Sequence, residues 1–427
     1  MQHTHQPARR WALTFFPIWT GQALSLLGSQ VAQFAIVWWL TATTGSGTVL
    51  AIATMVAILP GVLLGPLVGA LVDRWNRRMI MIMADTISAL AAAVLVYLFW
   101  TDSAEVWHLY VISFVRSICA TFHFPAMEAS TSLMVPHEHL ARVAGLNQML
   151  QGAMSIAAPP LGAMLLALMP LHAVMGVDVV TAALAVLPLL FVTIPQPPRA
   201  AVAEGQPGPT LVQDMLDGLR YVRGWPGLMI VMVMAMVLNF LINPAFALLP
   251  LLVTRHFGGG ALELSWMSSS WSVGILVGGV LLSTWGGFRS RMLTTLVGVI
   301  AQGAGLVLLA LTPPQAFWLG VGALLFAGVM NAFCNGPLFA MLQSVVAPEM
   351  QGRIFTLLGS LASLMAPLGL AIAGPLSDLV GPQPWFGVGG AACIVLGIVA
   401  FGMPSVMNIE RQAAAAPAPS SATEPAA

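Results

Sequence analysis

The sequence contains very little charge and no lysine. Its 427 residues include 15 arginines and 15 acids, so that 7% are charged while 58% are hydrophobic. A soluble globular domain carries about 25% charged residues, and this inventory is too poor to cover a surface that faces water. The formal net charge of zero also argues against a nucleic-acid partner, which would need a basic excess. The composition therefore predicts a protein that lies in a lipid bilayer.

Missing residue types exclude several other chemistries. The three cysteines, Cys119, Cys334 and Cys393, all lie in long apolar runs and none has metal-ligand spacing. A P-loop requires a lysine, so this chain does not hydrolyse ATP through one. The HEH at 137–139 does not match the metalloprotease pattern H-E-x-x-H. We therefore expect no metal, no cofactor, no ATP and no enzymatic activity.

Long apolar runs fill most of the chain. A helix needs about 20 apolar residues to cross about 30 Å of hydrocarbon, and its backbone groups must bond within the helix. The sequence therefore predicts an all-α membrane protein with twelve transmembrane helices. Their ranges are 13–40, 47–72, 79–100, 106–134, 141–168, 171–194, 227–254, 262–286, 290–312, 315–346, 353–380 and 384–407.

The arginines orient these helices. Thirteen of the fifteen lie in the N-terminal segment, in the loops after predicted helices 2, 4, 6, 8 and 10, or in the C-terminal segment. Arg255 alone lies in a loop on the opposite side, and Arg116 lies inside predicted helix 4. Because arginine is retained on the cytoplasmic side, we expect both termini in the cytoplasm and a multi-pass protein of a bacterial-type cell (inner) membrane.

The longest interior polar stretch divides the helices six and six. It begins with a proline-rich segment and continues as an amphipathic pattern, with Leu211, Met215, Leu219 and Val222 at helical spacing. We therefore predict five parts. They are a cytoplasmic N-terminus 1–12, a six-helix bundle 13–194, a cytoplasmic linker 195–226 with an amphipathic helix, a second bundle 227–408 and a disordered cytoplasmic tail 409–427.

An internal repeat supports this division. Three pairs of like residues are each 212 positions apart: Pro125 with Pro337, Pro136 with Pro348, and Arg77 with Arg289. The two bundles are therefore predicted to be pseudo-symmetric copies of one six-helix unit. Parallel repeats that meet at a central interface are typical of secondary transporters, in which the substrate path runs between the halves.

The loop after predicted helix 2 carries a recognisable motif. Residues 69–78 read GALVDRWNRR, which resembles the G-x-L-x-D-R-x-x-R-R signature of the major facilitator superfamily. The resemblance extends over about 13–407 and implies the major facilitator fold. Shorter segments are similar to the macrolide-efflux branch of drug:proton antiporters, a branch to which enterobactin-type exporters are also similar. They are IWTGQ at 18–22, GS at 28–29, FAI at 34–36, TGS at 44–46, AD at 84–85 and FPA at 124–126.

The resemblance implies a conformational latch that holds the two halves in the outward-open state. A carboxylate at Asp73 can cap the N-terminus of a neighbouring helix or pair with nearby arginines. In the second copy Trp285 stands opposite Asp73, so a single latch of this kind is expected. The alternative is that these charges only enforce the topology. The latch residues are Gly69, Asp73, Arg74, Arg77 and Arg78.

Polar residues recur along single faces of four predicted helices. Polar side chains in contact with lipid are costly, so these faces should turn toward a cavity or a neighbouring helix. Helices 1, 5, 7 and 10 line the substrate cavity in the superfamily, which favours a cavity, although ordinary interhelical hydrogen bonds would also explain each residue. The cavity candidates are Gln22, Ser25, Ser29, Gln33, Asn147, Gln151, Asn239, Asn243, Asn331 and Asn335.

Four ionisable residues lie within predicted spans and away from the obvious helix ends, and they are the candidates for proton coupling: Glu128, Asp85, Arg116 and His123. Arg116 occupies the place of the helix 4 arginine that the antiporter families associate with proton transfer. Glu128 is interpreted either as a proton-coupling carboxylate or as the ion-pair partner of Arg77.

Three acids have structural interpretations. Asp85, besides its candidacy for coupling, could be a structural partner of the Asp73 loop. Asp178 and Asp378 lie near predicted helix ends and are interpreted as boundary residues.

These features predict a secondary-active transporter that exports hydrophobic small molecules, such as macrolide-like drugs, by proton antiport with alternating access. Its partners are a small-molecule substrate, protons and the lipid bilayer, with no nucleic acid and no ATP, and we expect a monomer. One alternative is an exporter of an endogenous metabolite or siderophore. A more distant one is a membrane receptor or intramembrane enzyme that transports nothing.

Overall fold

The structure, a computed structural model, describes residues 10–192, 194 and 219–410, apart from the side chains of Arg10, Pro66, Ala70, Asp73 and Glu349. Twelve long helices within these ranges are apolar enough to cross a membrane, and the predicted all-α class is confirmed. The helices are α1 Arg10–Thr44, α2 Gly47–Arg74, α3 Arg77–Trp100, α4 Val106–Met134, α5 Leu140–Leu168, α6 Leu171–Phe191, α7 Pro226–Ala247, α8 Ala261–Trp285, α9 Arg291–Leu311, α10 Phe317–Val345, α11 Pro348–Val380 and α12 Gln383–Phe401.

Short polar side chains begin several of these helices. The Ser46 hydroxyl accepts a hydrogen bond from the backbone N–H of Val49 at the start of α2, and Asn76 accepts one from Met79 at the start of α3. Such caps bond backbone donors that have no partner within the helix. Pro348 takes the first position of α11, where its missing N–H costs nothing. This helix therefore begins five residues before the predicted start at 353.

Two helices end earlier than their apolar runs predict. α7 stops at Ala247 rather than 254 because Pro250 has no N–H for another helical bond, and a π-turn follows over Leu252–His256. α12 stops at Phe401 rather than 407 because Pro404 holds the residue before it in an extended conformation. In both places the apolar run continues beyond the last residue of the helix.

The two halves of the chain pack by one scheme. In the first half, α1 packs on α5 and α6, α2 on α4, and α3 on α4 and α6. In the second half, α7 packs on α11 and α12, α8 on α10, and α9 on α10 and α12, which is the same scheme shifted by six helices. Two antiparallel seams, α2 with α11 and α5 with α8, join the halves.

Several predicted segments lie wholly or partly outside the described residues: the N-terminus up to residue 9, most of the linker 195–226 and the tail from 411. The described end of the linker is helical at residues 219–223. Its Val222 is fully buried in the core of the second half. The linker therefore ends packed against the second bundle.

The halves touch at one end of the bundle and separate at the other. We call the end that carries residues 10 and 410 the terminal end, and the opposite one the far end. At the far end a Cβ on Gly374 of α11 would lie 2.6 Å from the Ala51 Cβ of α2. Toward the terminal end the glycines of α2, α5 and α11 face open space instead, at Gly65, Gly69, Gly145, Gly152, Gly352 and Gly359. The bundle therefore opens toward the terminal end.

Candidate functional site

A cavity of about 270 Å³ lies between helices of both halves. α1 contributes Gln30, Gln33 and Phe34, whereas α7 and α8 contribute Phe246 and Ser268. Its lining within the described chain is apolar or neutral and includes no charged side chain. The volume is at the small end of the range for ligand pockets, so a bulky ligand would occupy the cavity only in part. The site suits an uncharged or weakly polar surface of a small molecule.

The wall of this cavity depends on close contact between α1 and α5. A Cβ on Gly162 would lie 2.8 Å from the Phe34 ring, so only glycine leaves room for that ring. On the other seam, Ser269 of α8 donates a 2.9 Å hydrogen bond to the Ile156 carbonyl of α5. The cavity is thus bordered by a tight helix pair within one half and a hydrogen-bonded seam between the halves.

A buried ion pair lies beside α1. Arg116 of α4 binds Asp178 of α6, and the Ser29 hydroxyl of α1 donates to the same carboxylate at 2.8 Å. The Asp178 side chain is 3% exposed, and it stands seven residues inside α6. The interpretation of Asp178 as a boundary residue is therefore wrong, because its neighbours α1 and α4 enclose it completely.

A second polar group repeats this arrangement. Gln22 of α1 donates a 2.8 Å hydrogen bond to Asp85 of α3. The Nε2 atom of His123 on α4 lies 3.3 Å from the same carboxylate, at an angle that makes no hydrogen bond. The described partners of Asp85 are thus Gln22 and His123. Neither residue belongs to the loop after α2, which is the structural partner of Asp85 in the alternative interpretation.

The two groups have the same design. Gln22 and Ser29 are seven residues apart on α1, and Arg116 and His123 are seven apart on α4. Seven residues are about two helical turns, so each helix presents both of its residues on one face, about 10 Å apart. We call this arrangement the carboxylate ladder: Asp85 and Asp178, each held between α1 and α4. Gln33, one turn beyond Ser29, lines the cavity, so α1 connects the ladder to the cavity.

Most of the other polar candidates make hydrogen bonds within a helix or between neighbouring helices. Of the ten cavity candidates only Gln33 lines the described cavity, together with Gln30 of α1 and Ser155 of α5. Ser25 is buried and Gln151 is exposed. The remaining bonds are Trp19 to Asn147 at 2.7 Å, Asn243 to Asn239 at 2.9 Å, Asn331 to Gln302 at 3.3 Å and Asn335 to the Asn331 carbonyl at 3.1 Å.

Glu128 lies apart from the ladder. Its side chain is exposed, and no hydrogen bond or ion pair to it is found among the described residues. Arg77 donates to the carbonyl of Ala129 at 2.9 Å rather than to the Glu128 carboxylate. The Arg77–Glu128 ion pair, one of the two interpretations of Glu128, is therefore not formed in this conformation, in which Arg77 binds the backbone near the end of α4.

The motif at 69–78 holds parts of the first half together in this conformation. Arg78 donates to the carbonyls of Leu189 and Leu190 at 2.6 and 2.7 Å. A cation at the C-terminal end of a helix binds carbonyls that lack helical partners. Gly69 faces open space and Arg74 is exposed. The Asp73 side chain lies outside the described residues, so the latch stays a prediction.

Twelve spanning helices in two halves, with a shared cavity that opens toward one end, define a transporter that carries a solute along a path between its halves. Residues 18–370 match the family described as the Major Facilitator Superfamily. The chain belongs to this superfamily. It is a multi-pass inner-membrane transporter and not an enzyme.

Its relatives place it in the macrolide-efflux branch. It is 34% identical to macrolide efflux protein A of Streptococcus pyogenes over 389 residues, which covers 91% of this chain and 95% of that protein. The multidrug efflux pump Tap of Mycolicibacterium fortuitum is 26% identical over 407 residues, with 90% and 94% covered.

Solved structures confirm the fold. A bacterial homologue of the human lysosomal transporter Spinster, in an inward-facing and unoccupied conformation, aligns with a TM-score of 0.70 at 14% identity and covers 97% of this chain. All of that structure is matched. A bacterial homologue of ferroportin, in an inward-facing state, gives 0.68 at 15% identity, with 93% and 99% covered.

Proposed function

We propose that this transporter exports hydrophobic small molecules, including macrolide-like drugs, in exchange for protons. In this mechanism residues 13–194 rock against residues 227–408, so that the cavity faces each side of the membrane in turn. The terminal end is the cytoplasmic one, in keeping with the arginine distribution. The described conformation would then be the one that takes up cargo from the cytoplasm.

The lining of the cavity supports the class of cargo. Phe34, Met154 and Phe246 offer apolar contacts, whereas Gln30 and Gln33 offer neutral hydrogen-bonding groups. A charged side chain in the lining would favour a permanently charged solute, and the described lining has none. The 34% identity to a macrolide efflux protein supports the same class.

The observation that carries the proton claim is the position of α1 between the cavity and the ladder. Ser29 binds Asp178, and Gln33 one turn further lines the cavity. A ligand that displaces α1 therefore changes the hydrogen bonding of a carboxylate directly. Loss of a hydrogen-bond donor favours protonation of a buried carboxylate, whereas its return favours release of the proton. Asp85 and Asp178 are thus the proposed proton-binding groups.

The test uses purified transporter in liposomes that contain a pH-sensitive dye. Erythromycin is the transported probe. The wild type should move protons when erythromycin is supplied on the cytoplasmic side. Asp85→Asn and Asp178→Asn should each reduce this proton movement at least about tenfold, because one coupling group is lost from the ladder. Glu128→Gln tests the exposed candidate and should retain the proton movement of the wild type.

Asp102→Asn is the matched control. Asp102 lies in the exposed loop between α3 and α4, with a positive φ of 53° that asparagine also adopts readily. Erythromycin efflux that persists after the proton gradient is collapsed would contradict antiport. Efflux of a catecholate siderophore with no efflux of erythromycin would favour the metabolite exporter instead.

A further inference from the structure

One carboxylate joins the two halves at the far end. Asp378 stands near the C-terminal end of α11 and accepts hydrogen bonds from the backbone N–H groups of Gly47 and Thr48, at 2.6 and 3.0 Å. The hydroxyls of Ser46 and Thr48 donate to it at 2.9 and 2.7 Å. These four donors form the first turn of α2 and its cap. A carboxylate at a helix N-terminus binds N–H groups that lack helical partners and also interacts favourably with the helix dipole.

An arginine from the second half reinforces this contact. Arg255 follows α7 and donates to the carbonyl of Gly45 at 2.5 Å, while its guanidinium lies 3.9 Å from Asp378. In the sequence, Arg255 is also the only loop arginine on the side of the membrane opposite to the other loop arginines. Its position at the far end therefore has a structural reason, since it holds the turn between α1 and α2.

Close backbone packing completes the contact. A Cβ on Gly47 would overlap the Ser377 hydroxyl, and one on Gly374 would lie 3.1 Å from the Gly47 carbonyl. The two helices therefore approach each other at paired glycines, directly beside the Asp378 hydrogen bonds. We call this set the far-end lock: Gly45 to Thr48, Arg255, Gly374, Ser377 and Asp378.

The charged side chains of the far-end lock are more exposed than those of the carboxylate ladder. This exposure suits a contact that forms and breaks in every transport cycle. The Asp178 side chain is 3% exposed, and both of its partners lie in its own half. The Asp378 side chain is 28% exposed and that of Arg255 is 42% exposed. Water can therefore take the place of the partners when the lock opens, and no unpaired charge is left buried.

We propose that Asp378 is the positioning residue that closes the far end when the cavity faces the terminal end, and that it is the counterpart of Asp73 in the opposite state. Each acid stands near the C-terminal end of its helix, Asp73 in α2 and Asp378 in α11. Because these helices are antiparallel, each acid lies at the end where the other helix begins. The inference rests on the proposed alternating access but not on the identity of cargo or ion.

The experiment measures the conformation directly. In a variant without Cys119, Cys334 and Cys393, spin labels at positions 103 and 315 report the separation of the halves at the far end. Ser103 and Gln315 are exposed loop residues 212 positions apart, so they occupy equivalent places in the two halves. A second pair at Ser132 and Gln343, both exposed near helix ends, reports the terminal end. No substrate or gradient is required.

Asp378→Asn should raise the ratio of far-end-open to far-end-closed protein about tenfold, because charge-assisted hydrogen bonds are replaced by neutral ones and an amide N–H₂ faces donors. The terminal-end distances should shorten in the same sample. Asp378→Glu, which keeps the charge, should retain most of the closed population. Asp102→Asn, at the same end and exposed, should leave both distributions unchanged.

A steric variant tests the lock without touching its charges. Gly374→Ala places a methyl group against Ala51 and should open the far end in the same direction as Asp378→Asn. The double variant Asp73→Asn with Asp378→Asn should return the ratio toward that of the wild type. Unchanged far-end distances in both Asp378→Asn and Gly374→Ala would overturn the lock. If these variants shift the distances but the wild type shows no erythromycin-driven proton movement, the far-end lock is supported and proton antiport is rejected.

Discussion

The two halves of this transporter share one packing scheme but differ in where they hold charge. The first half encloses Asp85, Arg116, His123 and Asp178 within its helices. The corresponding helix pair of the second half, α9 and α10, is joined by the neutral amides of Gln302 and Asn331 at 3.3 Å. The duplicated framework is therefore retained by apolar packing, whereas the enclosed carboxylates Asp85 and Asp178 both belong to the first copy.

This difference assigns separate tasks to the halves. In the proposed antiport, the buried carboxylates of the first half would change their protonation when α1 moves. The second half contributes Asp378 and Arg255, which are partly exposed and act only where the halves meet. The first half thus carries the proposed coupling groups, and the second half carries the charged residues of the far-end lock.

The largest effect on stability is expected from Asp178→Asn. The change leaves the Arg116 guanidinium enclosed without a carboxylate, and breaking a buried pair in this way costs about 3–5 kcal/mol. The thermal midpoint in detergent should fall by several degrees. Arg116→Met combined with Asp178→Leu should recover much of the loss, and a double variant no more stable than Asp178→Asn would contradict a buried pair.

A smaller loss is expected from Gly274→Ala in α8. The added methyl group would overlap the Leu325 carbonyl and lie 3.0 Å from the Gly328 Cα of α10. Forcing two packed backbones apart costs about 1–3 kcal/mol. Thermal unfolding measures the loss, and Gly176→Ala in α6, where a Cβ has open space, is the matched control.

Gln302→Leu should have a weaker effect again. It removes a neutral hydrogen bond to Asn331, which contributes about 1 kcal/mol. Erythromycin-driven proton movement should stay at the wild-type ratio of protons to drug, because no proton-binding group is touched. A changed ratio would mean that the second half also takes part in coupling, and the contrast between the halves would fail.

The smallest effect is expected from Gly65→Ala in α2. The helix 2 glycines and the helix 8 glycines have similar spacing in sequence, yet a Cβ at Gly65 meets open space. We expect a free energy of unfolding within about 0.5 kcal/mol of that of the wild type, the range of surface substitutions. A loss as large as that of Gly274→Ala would show that α2 packs as tightly as α8 in the conformation that predominates in solution.

Much of the fold could be predicted because it follows from local properties. The lengths of the apolar runs specified the twelve helices, and the 212-residue repeat predicted one packing scheme used twice. The motif at 69–78 identified the superfamily. Pairing was harder to predict, since Ser29 and Asp178 are 149 positions apart and no pattern in either helix names the other.

Sequence by itself determined the class of the protein, its spans and the scarcity of its charges, because hydrophobic length and charge are properties of each segment alone. Only the tertiary structure decided which charges meet. From the sequence both Asp178 and Asp378 are interpreted as boundary residues, yet Asp178 is enclosed by α1 and α4, whereas Asp378 lies across the far end against α2. Burial depends on which helices surround a residue, and that is set by packing between distant segments rather than by position along the chain.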